Sequence, residues 1–257
     1  MTNENNHAVL FAVQGGVARI TLNRPEKRNA LNDAMIGGLK NLLRRGDQDE
    51  SVRVIVIAGA GSDFCSGADL AALQKISTAS VSQNLEDART VMELFMLIRE
   101  VRVPVIAAVH GRALAGGCGL ALACDIVLAA SSASFGFPEV KIGFVPAMVM
   151  AILRRNVPEK KAFELITLGD EIGAKQAEAL GLINHAFDDN ELETEVEKVA
   201  HRFGKISSSA IGLSKSLLYQ IDGLALEGAL SAGADVNAIA RMSEDCQRGI
   251  ERFLKRR

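Results

Sequence analysis

The chain has 257 residues, which at about 150 residues per domain predicts one large domain with an appendage. Its 29 basic and 31 acidic residues give a net charge of −2, and this balance argues against a nucleic-acid partner, because such binders usually carry a strong basic bias. The 23 Gly and 36 Ala, with no Trp and 4% aromatics, exclude a base-stacking surface and favour close approach of backbone segments to one another or to a ligand.

The cysteines do not form the motifs of a metal site or a disulfide framework. They are Cys65, Cys118, Cys124 and Cys246. None belongs to a CxxC pair, so we expect reduced structural thiols, no bound metal and a cytoplasmic protein. The N-terminus is polar and lacks the layout of a signal peptide. The most apolar stretch, residues 103–130, contains His110, Arg112 and Asp125, so we predict no membrane span.

Strands and helices are predicted to alternate over residues 1–190. In chain order the predicted strands are Ala8–Val13, Val17–Leu22, Val52–Ala58, Pro104–Val109, Ile126–Ala130 and Leu182–Phe187, and the predicted helices are Asn29–Arg45, one that starts with Asp69–Lys75, and Leu85–Val101. The Ser- and Thr-rich segment 76–84 predicts a mobile loop. Residues 191–257 show no strand pattern and predict about three helices, one of them capped at Ser207–Ser209.

Two segments share one layout, which is a buried strand, a turn of small residues and the start of a helix. The first turn covers residues 59–67 and the second covers residues 110–119. Backbone N–H groups at a helix start have no partner within the helix and suit an anion. If the two turns face each other, two N–H groups can stabilise one oxyanion. The alternative is that Gly and Ala only permit tight turns and close packing.

A third segment places a carboxylate at a helix start. Pro138 fits the first position of a helix, which puts Glu139 in the first turn among Phe135, Phe137 and Val140. Glu139 is either a general base in an apolar setting or an acid stabilised by the helix dipole. Burial would raise its pKa and the helix start would lower it, and the sequence leaves both outcomes open.

Five motifs, taken in order, resemble those of the enoyl-CoA hydratase/isomerase (crotonase) superfamily. They lie at residues 21–31 (TLNRPEKRNAL), 64–70 (FCSGADL), 113–126 (ALAGGC with CDI), 135–139 (FGFPE) and 168–183. The resemblance implies an α/β fold, a crotonase-like spiral of ββα/βαβ units with a helical C-terminal trimerisation region. It also implies a coenzyme A thioester as substrate, no separate cofactor, and a homo-oligomer that is a trimer or a dimer of trimers.

The resemblance assigns roles to individual positions. The two oxyanion N–H donors fall on Ala68 and Gly116, and the catalytic carboxylate falls on Glu139. The positions that it implies for coenzyme A binding are Lys27, Arg28, Ala68, Asp69, Leu70, Phe253 and Arg256. Phe253 and Arg256 would reach the nucleotide end, from the same or a neighbouring subunit, although a solvated helix end explains this basic tail equally well.

One position departs from the family pattern. Hydratases of the family usually carry two glutamates, and the first falls on Gly119 in this chain. A second carboxylate normally helps to hold and activate water, whereas one carboxylate suffices for Δ3–Δ2-enoyl-CoA isomerisation. We interpret the chain first as an enoyl-CoA hydratase with a single glutamate, with the isomerase as the alternative and a non-catalytic acyl-CoA-binding protein as an alternative of another class. Gly119→Glu should raise hydration unless Gly119 is needed for backbone packing.

Overall fold

A computed structural model describes residues 8–255, with only the backbone at Leu70. The strands are β1 (Val9–Gln14), β2 (Val17–Leu22), β3 (Val54–Gly59), β4 (Val105–Val109), β5 (Arg112–Leu114), β6 (Ile126–Ala130), β7 (Ser134–Gly136), β8 (Glu171–Gly173) and β9 (His185–Phe187). The helices are α1 (Asp33–Gln48), α2 (Leu70–Thr78), α3 (Val81–Glu100), α4 (Gly116–Ala123), α5 (Ala147–Asn156), α6 (Glu159–Leu168), α7 (Ala174–Ala179), α8 (Leu192–Phe203), α9 (Ser208–Gln220), α10 (Leu226–Met242) and α11 (Glu244–Lys255). Short 3₁₀ turns cover Pro25–Lys27 and Pro138–Ile142.

A six-stranded sheet in the order β1-β2-β3-β4-β6-β9 forms the centre of the fold. Only the β1–β2 hairpin is antiparallel, and its turn uses Gly15 and Gly16 at positive φ, as a tight hairpin requires. The remaining pairs are parallel. Strand β4 is buried along its whole length, which explains its continuous apolar sequence. Because β3 and β4 are parallel neighbours, the turns that follow them lie at the same edge of the sheet.

Helix α4 is built mainly from small residues, since five of its eight residues are Gly or Ala. Every residue from Gly117 to Ala123 is buried, and α4 packs against α3, α5 and the strands β4 and β6. Gly and Ala side chains let this helix approach its neighbours closely. A second sheet, in the order β5-β7-β8, carries the segments on either side of α4. The helix therefore lies in the chain between β5, which belongs to the second small-residue turn, and β7, which leads to Pro138 and Glu139.

The C-terminal helices differ in how far their apolar side chains are buried. Helix α8 packs on β3, β4 and β6, and α9 packs on α3. Lys215 anchors α9, because its buried ammonium lies 2.7 Å from an Asp125 carboxylate oxygen and donates to the carbonyl oxygens of Ile98 and Val103. Helices α10 and α11 bury no residue, and their exposed apolar side chains include Leu226, Leu230, Ile239, Met242, Phe253 and Leu254.

The structure corrects several predicted elements. The mobile loop predicted at 76–84 is wrong, since α2 runs to Thr78 and α3 begins at Val81, with Ser80 and Gln83 forming a capping box. The helix predicted from Asn29 begins only at Asp33, because Asn29 adopts a left-handed φ of 54°. Within the described residues four helices follow β9, where about three were predicted, and Ser207 caps α9 as predicted.

The strands of the second sheet are too short to be visible in the sequence pattern. Strands β5, β7 and β8 have three residues each and were not predicted, because no periodicity is visible over such a length. None of the described helices combines the length and the apolarity that crossing a bilayer requires.

Candidate active site

The two small-residue turns are in direct contact through backbone hydrogen bonds. The N–H of Phe64 donates to His110 O at 2.9 Å, and the N–H of Leu114 donates to Cys65 O at 3.0 Å. Because the N–H of Cys65 also donates to Arg112 O at 3.0 Å, Cys65 and Ala113 form an isolated parallel bridge. The turns after β3 and β4 therefore lie side by side, which is the condition that the sequence analysis set for two N–H groups to meet one oxyanion.

Two glycines make this contact possible. A Cβ on Gly117 would lie 2.2 Å from the carbonyl oxygen of Cys65, a distance that no side chain can accept. Gly67 has φ +97°, and its added Cβ would lie 2.8 Å from the Cβ of Ala115 and 3.6 Å from Gly116 N. The glycines therefore bring the peptide at 67–68 next to the peptide at 115–116.

The N–H groups of Ala68 and Gly116 are left available by this arrangement. Leu31 and Ala68 form a parallel bridge, in which the N–H of Leu31 donates to Gly67 O and the carbonyl of Leu31 accepts the N–H of Asp69. In such a bridge the N–H of Ala68 itself points away from Leu31. Gly116 is the first residue of α4, where an N–H has no intrahelical partner. Within residues 8–255 neither N–H donates to a protein acceptor.

Backbone strain accompanies the second donor. Ala115 adopts φ 51° and ψ −127°, a conformation that costs a non-glycine residue about 1–3 kcal/mol. Its N–H donates to Gly136 O at 2.8 Å, and its carbonyl accepts from Gly119 N–H at 3.0 Å. These bonds hold the peptide that carries the Gly116 N–H in one orientation.

Ion pairs and one buried amide tie three segments together. Asp63 is 4% exposed at its side chain and receives two bonds from the Arg112 guanidinium, at 2.7 and 3.1 Å. The Arg112 hydrogen bond is the main reason why the pKa of Asp63 falls to about 2. Asn29 is fully buried and donates to Ala60 O and Asp63 O at 2.8 Å each. Arg24 bonds Asp69 at 2.6 Å.

Glu139 lies close to the same turns and holds an unsatisfied oxygen. Pro138 occupies the first turn of the 3₁₀ segment, as predicted, and Glu139 follows it. Its Oε2 is buried and has no hydrogen-bond partner among the described residues. Burial raises the pKa of Glu139 above the ordinary value of 4.5, so desolvation outweighs the backbone N–H bond that lowers it.

Two observations connect Glu139 to the donor turn. Gly136, three residues before Glu139, accepts the N–H of Ala115. Burial raises the pKa of the Cys118 thiol, and the nearby charge of Glu139 raises it further. Since Cys118 comes two residues after Gly116, the carboxylate lies near the start of α4.

The position of the missing first glutamate is filled by apolar side chains. A Cβ on Gly119 would lie 2.7 Å from Val149 Cγ2 and 2.9 Å from Phe95 Cζ. Both side chains are buried. Gly119 is therefore required for packing, and there is no space beside it for a second carboxylate in this arrangement.

The remaining predicted site residues differ in their placement. Lys27 and Arg28 are exposed and enter no ion pair among the described residues, and the Arg28 carbonyl accepts the N–H of Ser66 at 3.0 Å. The Asp69 side chain caps α2 at Ala71, and this bond, with Arg24, lowers its pKa. Phe253 lies on α11, which packs against α9 and α10.

The side chains of two predicted coenzyme A contacts lie outside the described part of the chain. Arg256 lies beyond the described residues, and only the backbone of Leu70 is described.

No group of three His, Cys, Asp or Glu side chains within the described part of the chain is arranged to hold a metal ion. Asn29 and the Asp63–Arg112 pair were not predicted as site residues, because their roles depend on contacts 31 to 49 positions apart.

Comparison with known proteins agrees with the fold and motifs. The family described as Enoyl-CoA hydratase/isomerase matches residues 12–257. The 2,3-dehydroadipyl-CoA hydratase of Escherichia coli is 34% identical over 97% of this chain and 96% of its own length. The crotonyl-CoA hydratase of Syntrophomonas wolfei is 35% identical over 97% and 95%. The crystal structure of a Mycobacterium smegmatis enoyl-CoA hydratase superposes with a TM-score of 0.93 and 31% identity, over 97% of both chains.

The chain therefore belongs to the enoyl-CoA hydratase/isomerase family and is an enzyme of the enoyl-CoA hydratase type acting on acyl-CoA. The predicted superfamily and the crotonase-like α/β fold are both confirmed.

Substitutions at the two adjacent glycines should differ in their effect on stability. Gly117→Ala places Cβ against Cys65 O and should lower the free energy of unfolding by about 1–3 kcal/mol, as overpacking does. Gly116→Ala meets only Leu31 Cδ1 at 3.5 Å, so its thermal midpoint should stay unchanged or rise. Thermal unfolding at one protein concentration compares them, and equal midpoints would contradict the close contact of the turns.

Neutralising Glu139 should stabilise the protein in a pH-dependent way. A carboxyl whose folded-state pKa is raised contributes stability below about pH 4.5 and loses it as the pH rises through the folded pKa. Glu139→Gln should therefore match the stability of the wild type in acid and exceed it at neutral pH. Glu159→Gln, at a 78% exposed side chain, is the control without this gain. A Glu139→Gln variant that is no more stable than wild type at neutral pH would show that Glu139 is not destabilised by burial.

Proposed function

We propose that the enzyme adds water reversibly to the C2=C3 bond of a 2-enoyl-CoA, with Glu139 as its single acid–base group. The observation that carries this proposal is the buried, unpartnered Oε2 of Glu139 near two available backbone N–H groups. The names of the relatives agree, since two of them are hydratases of crotonyl-CoA and of 2,3-dehydroadipyl-CoA.

In the proposed mechanism the thioester oxygen accepts hydrogen bonds from the N–H groups of Ala68 and Gly116. Addition of water oxygen to C3 moves an electron pair toward that oxygen and forms an enolate. Two fixed donors stabilise this charge, and one such donor is worth about 10²–10³ in rate where it has been measured. Because the donors are held by Gly67, Gly117 and the Asp63–Arg112 pair, they need little reorganisation as the charge develops.

Glu139 moves the proton in both directions. Its ionised carboxylate takes a proton from the attacking water while the hydroxyl group bonds to C3. The resulting carboxylic acid then gives that proton to C2, which collapses the enolate and regenerates Glu139. A pKa raised by burial suits both steps, since the group is a stronger base than a solvated glutamate and remains able to donate.

The Δ3–Δ2-enoyl-CoA isomerase is the second candidate. The apolar contacts of Gly119 with Phe95 and Val149 favour it, because they leave no second carboxylate to hold water. The same donors and the same Glu139 can move a proton from C2 to C4 of a 3-enoyl-CoA through a dienolate. The hydratase comes first because the relatives compared above are named hydratases.

The CoA moiety is proposed to bind along the Pro25–Lys27 turn. Lys27 and Arg28 are exposed cations with no ion pair among the described residues, and both suit phosphate groups. The Arg28 carbonyl is bonded to Ser66, two residues before Ala68, so CoA and thioester would bind contiguous segments. Phe253 and Arg256 remain proposed contacts of the nucleotide end.

We also propose a homo-oligomer, a trimer or a dimer of trimers, located in the cytoplasm. Leu226, Leu230 and Met242 of α10 are 66–82% exposed, and apolar surface of this extent suits a subunit contact. The four cysteines are free thiols, which agrees with a reducing compartment.

The test is to offer a 2-enoyl-CoA and a 3-enoyl-CoA separately to wild type and to Glu139→Gln, and to follow products by mass. A hydratase adds the mass of one water to the 2-enoyl-CoA, whereas an isomerase shifts the double bond at unchanged mass. Glu139→Gln should lower kcat by about 10²–10⁴ and leave the Kd for CoA near its wild-type value. The wild-type acid limb should lie above pH 4.5, because the base must be ionised.

Each other outcome has a defined meaning. Turnover by Glu139→Gln near the wild-type rate would show that Glu139 is not the base. CoA binding without turnover of either substrate by wild type would favour an acyl-CoA-binding protein. Glu159→Gln, which neutralises an exposed carboxylate on α6, is the control.

A further inference from the structure

A cavity of about 660 Å³ lies between α3, α5 and α9. Apolar side chains supply much of its wall. They are Met92, Phe95, Met96, Met148 and Ile152. A cavity of this size and chemistry suits a flexible hydrocarbon chain, because unbranched Met side chains adapt to it.

Phe95 connects this cavity with the proposed catalytic site. Its ring lies 2.9 Å from the position that a Cβ on Gly119 would take, and it also lines the cavity. Val149 is the other neighbour of Gly119. It directly follows Met148 on α5, and Met148 lines the cavity. The ring of Phe95 therefore lies between Gly119 of α4 and the cavity.

Arg99 brings a charge into this apolar setting. Its guanidinium carbon lies 4.7 Å from the centroid of the Tyr219 ring. Its Nε is buried and has no hydrogen-bond partner, and the guanidinium makes no ion pair with any residue in 8–255. A buried donor of a cation that lacks an acceptor is costly, and the described part of the chain supplies no counter-charge for this guanidinium.

The neighbours of Arg99 hold it in place without neutralising it. The Tyr219 hydroxyl donates to Asp125 at 2.7 Å, and Asp125 is itself paired with Lys215 at 2.7 Å. Tyr219 is thereby fixed as a platform for the guanidinium. Stacking on a ring leaves the in-plane N–H groups of Arg99 free to bind a planar group.

The other charged groups of the cavity do not replace this acceptor. Arg155 is paired with Asp222, so these two lining charges offset one another. Glu100 also lines the cavity, but its side chain is exposed. Arg99 is the lining cation that lacks a counter-charge among the described residues.

We propose that the cavity binds the distal end of the acyl chain and that Arg99 binds a carboxylate there. The preferred substrate is then a 2-enoyl-CoA whose acyl chain ends in a carboxylate. The methylene groups lie against the Met and Phe side chains, and the carboxylate accepts paired N–H bonds from the guanidinium. This inference rests on the proposed hydration reaction and names its substrate class.

The test compares kcat/KM for 2,3-dehydroadipyl-CoA with that for 2-hexenoyl-CoA, a chain of equal length without the carboxylate. Wild type should prefer the dicarboxylic substrate by about tenfold or more, the effect of charged hydrogen bonds to a buried partner. Arg99→Met should remove most of that preference. Arg99→Lys, which keeps the charge and loses the planar fork, should retain part of it.

Arg89→Met is the matched control, since Arg89 lies on the same helix, is exposed and does not line the cavity. It removes the same net charge and should leave the preference unchanged. Thermal midpoints of all variants report on folding, and the wild-type preference tests the inference without any substitution.

The outcomes separate the inference from the reaction on which it rests. Equal kcat/KM for both substrates in wild type, or a preference that survives Arg99→Met, would overturn the role of Arg99 and leave the hydratase intact. Loss of the preference in Arg89→Met as well would assign it to net charge and also overturn the inference. No hydration of either substrate would contradict the proposed function itself.

Discussion

The close contact between the turns after β3 and β4 is the constraint on which the rest of the site depends. Gly67 and Gly117 allow the two backbones to approach within distances that any side chain would prevent. The parallel pairing of β3 with β4 brings both turns to one edge of the sheet, and the Asp63–Arg112 ion pair holds them there. The available N–H groups of Ala68 and Gly116 are a consequence of this packing.

Several features of the site work against stability, and the surrounding core offsets them. Ala115 has a strained backbone, and Glu139 has a buried oxygen without a partner. The buried strands β3 and β4 and the small-residue helix α4 form a rigid support for both. Such local cost is typical of positions that must bind a developing charge or move a proton.

The sequence predicted the parts of the site that depend on local patterns. Strand–turn–helix units, the Pro138–Glu139 helix start and the family motifs are all readable over short windows. The capping box of Ser80 and Gln83 was also readable, but the Ser-rich composition of 76–84 led to the wrong prediction of a loop. The apolar filling beside Gly119 and the lack of a partner for Arg99 depend on contacts between distant helices, so no local pattern could predict them.

The central claim is that two backbone N–H groups polarise the thioester oxygen. The most direct measurement is the infrared stretch of the isotopically labelled thioester carbonyl in a 2-enoyl-CoA bound to Glu139→Gln, which should convert the substrate slowly enough for the complex to be observed. Two aligned donors should weaken the C=O bond and move the stretch to a lower frequency than in water. A stretch at the frequency found in water would contradict the account.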